Sequence, residues 1–525
     1  MIVTPSQPYL NTLDPEIEEA VARNLDSTSR GRLKDWTSPL IVDKDDPTSG
    51  RVQRIAEVAE WLYPTGYSWL DEAEAEAAQK IGPESIQLPY EQRKPVIYDY
   101  FNQPTISPNT DAWRYASEML YGMVRQKLRP VNLDHAYDEM PKGTNLGLPY
   151  ASADSEYRPL VLELARTIIR DGFKYEPDPC ILYWRGQSRG LSEFPKQRTV
   201  WGYPHYLTLF ELQLQIPLLH YLRRTMAYAA WNPPEVVNSA VTYVMQNTSQ
   251  DILSVDFSRF DASIPDVVIR QVFRIMREWF VPSAHSLIDY VERAFLEIGL
   301  LTPEGILLGR NGGVPSGSGV TNLIDSLVQQ FAFHYIAYVL RNEVAMHLVQ
   351  GDDGVVAFKL PWSLDAITEV ALQLNLTVSS DKGGVGRDRV YFLQNIHSSD
   401  YAIDGVFPGV RLINRVIGKA MSYERFKSGW SGEDDSLRWI EQFTDLRYHP
   451  KFTRAVRFLY DNDSYLKKYT LAELIDKAGG SEKVESALDL KAFPFGKLQL
   501  SQFGGSPVLL EVARLKREGL SANRR

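Results

Sequence analysis

Two short acidic clusters, far apart in the chain, each stand where an apolar run ends. The first is Asp256-Phe257-Ser258-Arg259-Phe260-Asp261, directly after Ile252-Leu253-Ser254-Val255. The second, Gly351-Asp352-Asp353-Gly354, separates the apolar runs 344–349 and 355–360. Short apolar runs bounded by turn residues read as strands. Glycine beside an acidic pair reads as the tight turn joining two of them. If the strand ending at Asp256 neighbours that hairpin, Asp256, Asp352 and Asp353 meet at one end of one sheet. Carboxylates gathered in a partly buried place repel each other, and divalent cations relieve the repulsion. Mg²⁺ favours a few carboxylates completed by phosphate oxygens, the setting of two-metal phosphoryl transfer. Taken alone, an acidic pair in a turn is more often a solvated hairpin. The order of the surrounding motifs changes that balance.

Between the clusters runs Gly312-Gly313-Val314-Pro315-Ser316-Gly317-Ser318-Gly319-Val320-Thr321-Asn322, followed by a helical stretch over 323–340. Glycines let backbone amides approach a phosphate or a base closely. Polar residues at the start of the helix can reach a ribose. The plain alternative is a loop with Ser318 or Thr321 capping the helix. No Gly-Lys-Ser/Thr follows, so this is not a Walker loop.

Asp-x4-Asp, then Pro-Ser-Gly…Thr-Asn, then Gly-Asp-Asp, in that order, resembles motifs A, B and C of viral RNA-dependent RNA polymerases. The forms SVDFSRFDASIP, GVPSGSGVTNLIDS and QGDDGV look most like those of picobirnaviruses, with partitiviruses next. The flanks are similar too. Gly143-Thr144-Asn145-Leu146-Gly147-Leu148-Pro149-Tyr150 resembles the template-guiding motif G. Arg185, Arg189, Lys196 and Arg198, opposed only by Glu193, resemble motif F, whose cations hold the incoming triphosphate. Lys382, in Ser379-Ser380-Asp381-Lys382, stands where motif D carries the lysine that protonates pyrophosphate, with Lys359 the alternative. Tyr391-Phe392-Leu393-Gln394 resembles the motif E strand under the primer end.

The resemblance implies an RNA-directed RNA polymerase copying a template RNA from nucleoside triphosphates. It assigns two Mg²⁺ ions, with Mn²⁺ able to substitute, to Asp256, Asp352 and Asp353. Asp261 accepts from the ribose 2′-OH, the group that separates RNA from DNA. Ser316 and Gly317 adapt the loop under the nascent pair, Thr321 lies beside them, and Arg189, Lys196 and Arg198 clamp the triphosphate. One departure stands out. Many positive-strand RNA virus polymerases have Asn four residues after the motif B threonine. Here that position is Asp325, while Asn322 directly follows Thr321, so either could assist Asp261.

Asp261 lies five residues after Asp256, so on a regular strand the two would face opposite sides. The chain must turn after Phe257 to bring Asp261 back. The bland alternative is that Asp261 caps the next helix, which Ser263 and Pro265 otherwise suit as N-cap and first-turn residues.

A length of 525 residues allows several subdomains, and 44% hydrophobic with 23% charged residues is ordinary for a globular protein. A net charge of −9 is not the footprint of a non-specific nucleic-acid coat. It is compatible with a polymerase whose cations line an interior channel. The single cysteine, Cys180, rules out an internal disulfide and a cysteine zinc site, and suits a reducing cytosol. The N-terminus lacks the pattern of a signal peptide. The most apolar stretch, 323–340, carries Asp325, Ser326, Gln329, Gln330 and His334, so it reads as a buried helix rather than a membrane span.

The expected fold is α+β, a right-hand polymerase of fingers, palm and thumb around a closed, encircled active site. Residues 1–110 bridge fingers and thumb, 111–249 with part of 281–312 form fingers, 250–400 the palm, and 401–525 the thumb and tail. Implied partners are template and product RNA, nucleoside triphosphates and a viral capsid protein, without membrane insertion. The implied location is the virion interior and host cytoplasm. A reverse transcriptase is the nearest alternative, but small Ala262 and Ser263 after Asp261 offer no bulky gate against the 2′-OH. A catalytically silent RNA-binding scaffold is the other, and the intact acids argue against it.

Overall fold

The computed structural model describes residues 1–379, 383–424, 430–480, 484, 491–493, 496–497 and 506–522. The chain forms two compact units. The first contains residues 1–31, 89–183 and 199–408; the second contains 32–88, 184–198 and 409–525.

The first unit is organised by a four-stranded antiparallel sheet of β4 (Ile252–Val255), β7 (Val344–Gln350), β8 (Asp353–Phe358) and β9 (Gly384–Gly386), in the order β7-β8-β4-β9. All four residues of β4 are buried. Strand alternation divides them between the sheet faces. Leu253 and Val255, with Val356, Phe358 and Val349, join the main core, which also holds the helices Asp266–Trp279 and Thr321–Val339. Ile252, with Leu348, Val355 and Ala357, packs under the helix Pro234–Asn247 through Val237, Val241 and Val244. A strand covered on both faces needs no polar alternation, which is why 252–255 reads as a continuous apolar run.

A second sheet has five strands in the order β1-β6-β5-β2-β3. They are β1 (Ile2–Thr4), β2 (Cys180–Gln187), β3 (Lys196–Gly202), β5 (Leu300–Thr302) and β6 (Gly305–Leu308). A helix, His205–Leu222, follows it and is buried over most of its length. The hairpin of β10 (Arg389–Phe392) and β11 (Asn395–Ser398) covers the β4 side of the palm-like sheet, where Tyr391 N–H donates to Ser254 Oγ at 2.9 Å.

The second unit has its own apolar core. Helix Pro47–Leu62 contributes Val58 and Leu62, and helices Ile413–Met421, Gly432–Thr444 and Phe452–Asn462 contribute Ile417, Trp439 and Leu459. Among the described residues no helix is long and apolar enough to cross a membrane.

Three local expectations change. The helix after motif A begins at Asp266 with Pro265 at its N-cap and no side-chain cap. Ser263 is spent in a one-turn helix, Phe260–Ser263, donating to Phe260 O. The intervening residues pair with the glycine loop, Gly313 N–H donating to Ile264 O at 2.7 Å. Asp261 is the cap of neither helix. The Thr321 helix likewise has no side-chain cap, because Thr321 and Ser318 donate elsewhere. Finally, Leu393 and Gln394 both have positive φ and form the turn of the β10–β11 hairpin rather than a strand.

Candidate active site

The register of β4 on β8 ends with Val255 opposite Gly354. Asp256 therefore leaves the sheet beside the first residue of β8, Asp353. On the other side of β8, Gln350 pairs with Asp353, so Gly351-Asp352 is a two-residue hairpin loop. Gly351 has φ +62° and Asp352 an ordinary negative φ. Glycine at the first loop position is the requirement of a type II′ turn, whose twist matches the strands. The sheet thus delivers Asp256, Asp352 and Asp353 to one end, and all three are partly exposed there.

Motif A turns as its spacing requires. Beyond β4, residues 256–258 pair with 377–379, through Ser379 N–H to Asp256 O at 2.8 Å and Ser258 N–H to Thr377 O at 2.9 Å. Arg259 then adopts a left-handed backbone, φ +54°, and its guanidinium pairs with Asp99. That reversal starts the one-turn helix carrying Asp261, whose carbonyl accepts from Val314 N–H at 2.7 Å.

The Thr321–Val339 helix lays a polar stripe along the hairpin. Asn322, Ser326 and Gln329 recur at helical spacing on one side. Gly351 N–H donates to Ser326 Oγ at 2.7 Å, and Gln329 Nε2 donates to Asp352 O at 2.9 Å. A Cβ on Gly351 would lie 2.9 Å from Asn322 Nδ2, and one on Gly354 2.5 Å from Gln329 Oε1. Glycine at both flanks of the acids is therefore what lets the helix approach.

Asp325 sits on the same helix, only 3% exposed, and its Oδ1 has no hydrogen-bond partner. Burial pushes its carboxyl well above the usual range, and the nearby charges of Asp261 and Asp352 push it the same way. Four-residue spacing from Thr321 thus brings Asp325 to the acids, while Asn322 is exposed beside the hairpin turn. The donor set suits a hard cation in chemistry, since hard cations take oxygen ligands. Among the described residues no three acidic, histidine or cysteine side chains stand together so as to hold a metal ion by themselves. Mg²⁺ usually takes one or two carboxylates and completes its shell with water and substrate phosphate oxygens.

The glycine loop is clamped rather than free. On one side Ser316 Oγ lies 3.4 Å from Trp201 N and Thr199 O of β3. A Cβ on Gly317 would stand 1.8 Å from Trp201 O, so only glycine fits there. On the other side the His205–Leu222 helix contributes Glu211. Its carboxylate accepts from Ser318 Oγ at 2.7 Å and from Gly319 N–H at 2.6 Å. One turn on, Gln215 Nε2 donates to Gly319 O at 2.7 Å. Thr321 Oγ1 closes the loop on itself by donating to Pro315 O at 2.8 Å. At the loop's start the buried guanidinium of Arg310 donates to Gly313 O at 2.5 Å and to Phe295 O, and lies over the Trp201 ring. Burial raises the Glu211 carboxyl to about 7, its hydrogen bonds opposing the shift, and lowers Arg310 to about 10.

Sequence reasoning missed Glu211, Arg310, Ser326 and Gln329 as site-building residues. Glu211 had a signal, being the one acidic residue in an 18-residue helix otherwise free of acid, lysine and arginine. The motif F cations Arg189, Lys196 and Arg198 belong to the second unit, where Arg189 and Arg198 are exposed and Lys196 is half-buried. Arg185 pairs with Glu424 there. Lys382 lies outside the described residues. Its alternative, Lys359, is exposed just beyond β8 and paired with Glu343 at 2.5 Å.

Comparison with known proteins supplies a family context. Residues 106–474 match the family described as viral RNA-dependent RNA polymerase. The chain is 26% identical over 462 residues to a protein of human picobirnavirus (strain Human/Thailand/Hy005102/-) named potential RNA-dependent RNA polymerase, covering 84% of this chain and 85% of that one. It is 27% identical over 319 residues to the RNA-directed RNA polymerase of Cryptosporidium parvum virus 1 (strain KSU-1), covering 55% and 57%. In fold it matches the crystal structure of the RNA-dependent RNA polymerase of a human picobirnavirus, with a TM-score of 0.73 at 20% identity, over 94% of this chain and 96% of that one.

Proposed function

The chain belongs to the viral RNA-dependent RNA polymerases, and from that premise we propose how its own residues carry the reaction. It is an RNA-directed RNA polymerase of right-hand fold, an enzyme that binds RNA and nucleotides. The family works with divalent metal ions. The observation that carries the residue assignment is the β4–β8 register, with Val255 opposite Gly354.

Asp256 and Asp352 hold Mg²⁺, or Mn²⁺ in its stead, with Asp353 assisting. When bound, two such ions supply a lowered pKa at the primer 3′-hydroxyl and neutralise charge on the leaving phosphates. Everything else falls to the chain. Asp261, returned to the site by the Arg259 reversal, accepts from the nucleotide 2′-OH. Asp325 is its supporting residue rather than Asn322. The support for this choice is that Asp325 feels the charges of Asp261 and Asp352, while Asn322 abuts the Gly351 turn. Ser316, Gly317 and Thr321 form the loop beneath the nascent pair. Arg189, Lys196 and Arg198 hold the triphosphate by charge-assisted hydrogen bonds. Lys382 is the proton donor to pyrophosphate.

We further propose, from the likeness to the picobirnavirus protein, that the genome copied and transcribed is double-stranded RNA. A capsid protein is then a partner, and the enzyme works inside the particle and in the host cytoplasm. We assign the N-terminal region 1–110 to a bridge between fingers (111–249 with part of 281–312) and thumb (401–525, with the tail), and the palm to 250–400.

The test is incubation of the purified chain with a generic RNA template, four nucleoside triphosphates and Mg²⁺ or Mn²⁺. Template-dependent RNA is the expected product. Product made only from deoxynucleotides would favour a reverse transcriptase. RNA binding with no metal-dependent synthesis would favour a silent scaffold.

A further inference from the structure

We infer that Glu211 is the positioning residue of the 312–321 loop: through Ser318 and Gly319 it sets where Ser316 and Gly317 stand while a nucleotide is selected. This rests on the loop's role proposed above. Three observations carry it. The carboxylate is fully buried, yet both its oxygens are spent on the loop and on consecutive residues of it. Gln215, one helical turn away, takes the carbonyl of the same Gly319. The peptide of Gly319 is thus held at both ends by one rigid helix, and a Cβ on Gly319 would stand 3.1 Å from Glu211 Oε2. The opposite flank is a backbone wall, Trp201 O, with no room for adjustment at Gly317. A loop with a fixed wall on one side moves only if its grip on the other side changes.

The grip depends on ionisation. Charged Glu211 accepts from both Ser318 and Gly319. The Ser318 hydroxyl in turn accepts from Val320 N–H at 3.2 Å. A protonated carboxyl turns one acceptor into a donor, and the Ser318 hydroxyl must then reorient. The titratable groups facing Glu211 are Tyr203 ahead of its helix and Cys180 of β2, and Arg310 after β6 acts on those two in turn. Burial pushes the thiol and the phenol well up, so both stay neutral. With Glu211 itself raised to about 7, the two states of the clamp exchange near neutral pH.

The experiment compares wild type with Glu211→Gln, Glu211→Ala and Ser318→Ala. Single-nucleotide incorporation on an RNA template is followed from pH 5.5 to 9, with correct and mismatched nucleotides and with melting temperature measured in parallel. In wild type, kcat/KM for the correct nucleotide rises by about tenfold through neutral pH, the scale of one charged hydrogen bond. In Glu211→Gln, the isosteric mimic of the neutral acid, that rise is absent while the protein melts no lower. Glu211→Ala and Ser318→Ala also lower the ratio of correct to mismatched incorporation. Hydrogen exchange of 315–320, corrected for its intrinsic pH dependence, is slow at pH 8 and faster at pH 6 in wild type, and insensitive to pH in Glu211→Gln. A wild-type pH profile in Glu211→Gln, wild-type mismatch ratios in Glu211→Ala and Ser318→Ala, or losses that follow melting temperature alone, overturn the inference. Absence of any synthesis by wild type instead overturns the polymerase reading of the site. The exchange arm then still decides whether Glu211 holds the loop.

Discussion

The amide of Gly351 donates to Ser326 Oγ at 2.7 Å, so the turn that carries Asp352 is tied to the helix that carries Asp325. Motif C and motif B are therefore one rigid piece. A change at either acid is read against a fixed frame, which makes charge substitutions there interpretable.

Asp352→Asn abolishes most synthesis without unfolding the protein. A neutral amide is a poor ligand for a hard cation, and loss of one strong electrostatic stabiliser costs on the order of 10²–10³-fold in rate. Because Asp352 adds to the repulsion felt by buried Asp325, the variant melts no lower than wild type. Primer extension and thermal melting check this together. Near-normal extension by a folded variant removes Asp352 from the metal site.

Asp261→Ala loses ribose selection. A hydrogen bond to a charged acceptor is worth roughly 1.5–3 kcal/mol, about one to two decades in discrimination. The quantity to measure is the ratio of kcat/KM for ATP and dATP, which falls by that amount. An unchanged ratio means the sugar is read elsewhere.

Arg198→Ala raises KM for nucleotides and slows turnover, since solvent does not replace a guanidinium's paired contacts to phosphate. Steady-state kinetics and RNA affinity are compared. Altered RNA affinity with normal nucleotide kinetics moves Arg198 to the template path.

Gly317→Ala damages the loop. Its Cβ would overlap Trp201 O at 1.8 Å, and the obstacle is backbone. Overpacking of this kind costs about 1–3 kcal/mol. The expected result is a lowered melting temperature and a drop in kcat/KM, and full activity at normal stability would show that the loop can retreat from β3.

Stability carries the signature of Glu211. Burial raises its carboxyl to about 7 when folded, above the ordinary value of 4.5, so the folded state binds more protons between those values. This contribution is fully present below about 4.5 and is lost as pH rises through about 7, with an upper bound of about 3 kcal/mol. Chemical denaturation from pH 4.5 to 8 shows it as a slope that Glu211→Gln removes.

Much of the site was legible in sequence because strand ends and tight turns are local. Apolar residues 252–255 gave β4, Gly351 gave the hairpin, and the five-residue step from Asp256 to Asp261 demanded the reversal found at Arg259. What was not legible depends on partners distant in the chain. Ser263 looked like a helix cap, but residues 264 and 265 are drawn into pairing with the loop at 312–313. Nothing local to the glycine loop announces that Glu211, Gln215 and Trp201 surround it. Leu393 and Gln394 are not typical turn residues, so their positive φ was hidden.

The central position of β4 also has a consequence during synthesis on the ribosome. Its two neighbours, β8 and β9, begin at Asp353 and Gly384, far downstream. At a translation rate of 5–20 residues per second, β4 waits roughly 5–25 s for both edges to be covered. Throughout that interval a strand with three apolar residues in four is exposed to whatever else is nascent nearby. For most of that interval Asp256 also has no Asp352 to face, since Asp352 directly precedes β8. The acidic cluster is thus unassembled for most of the time that β4 is vulnerable to aggregation, and its last open edge is covered by β9, after Asp352 has arrived.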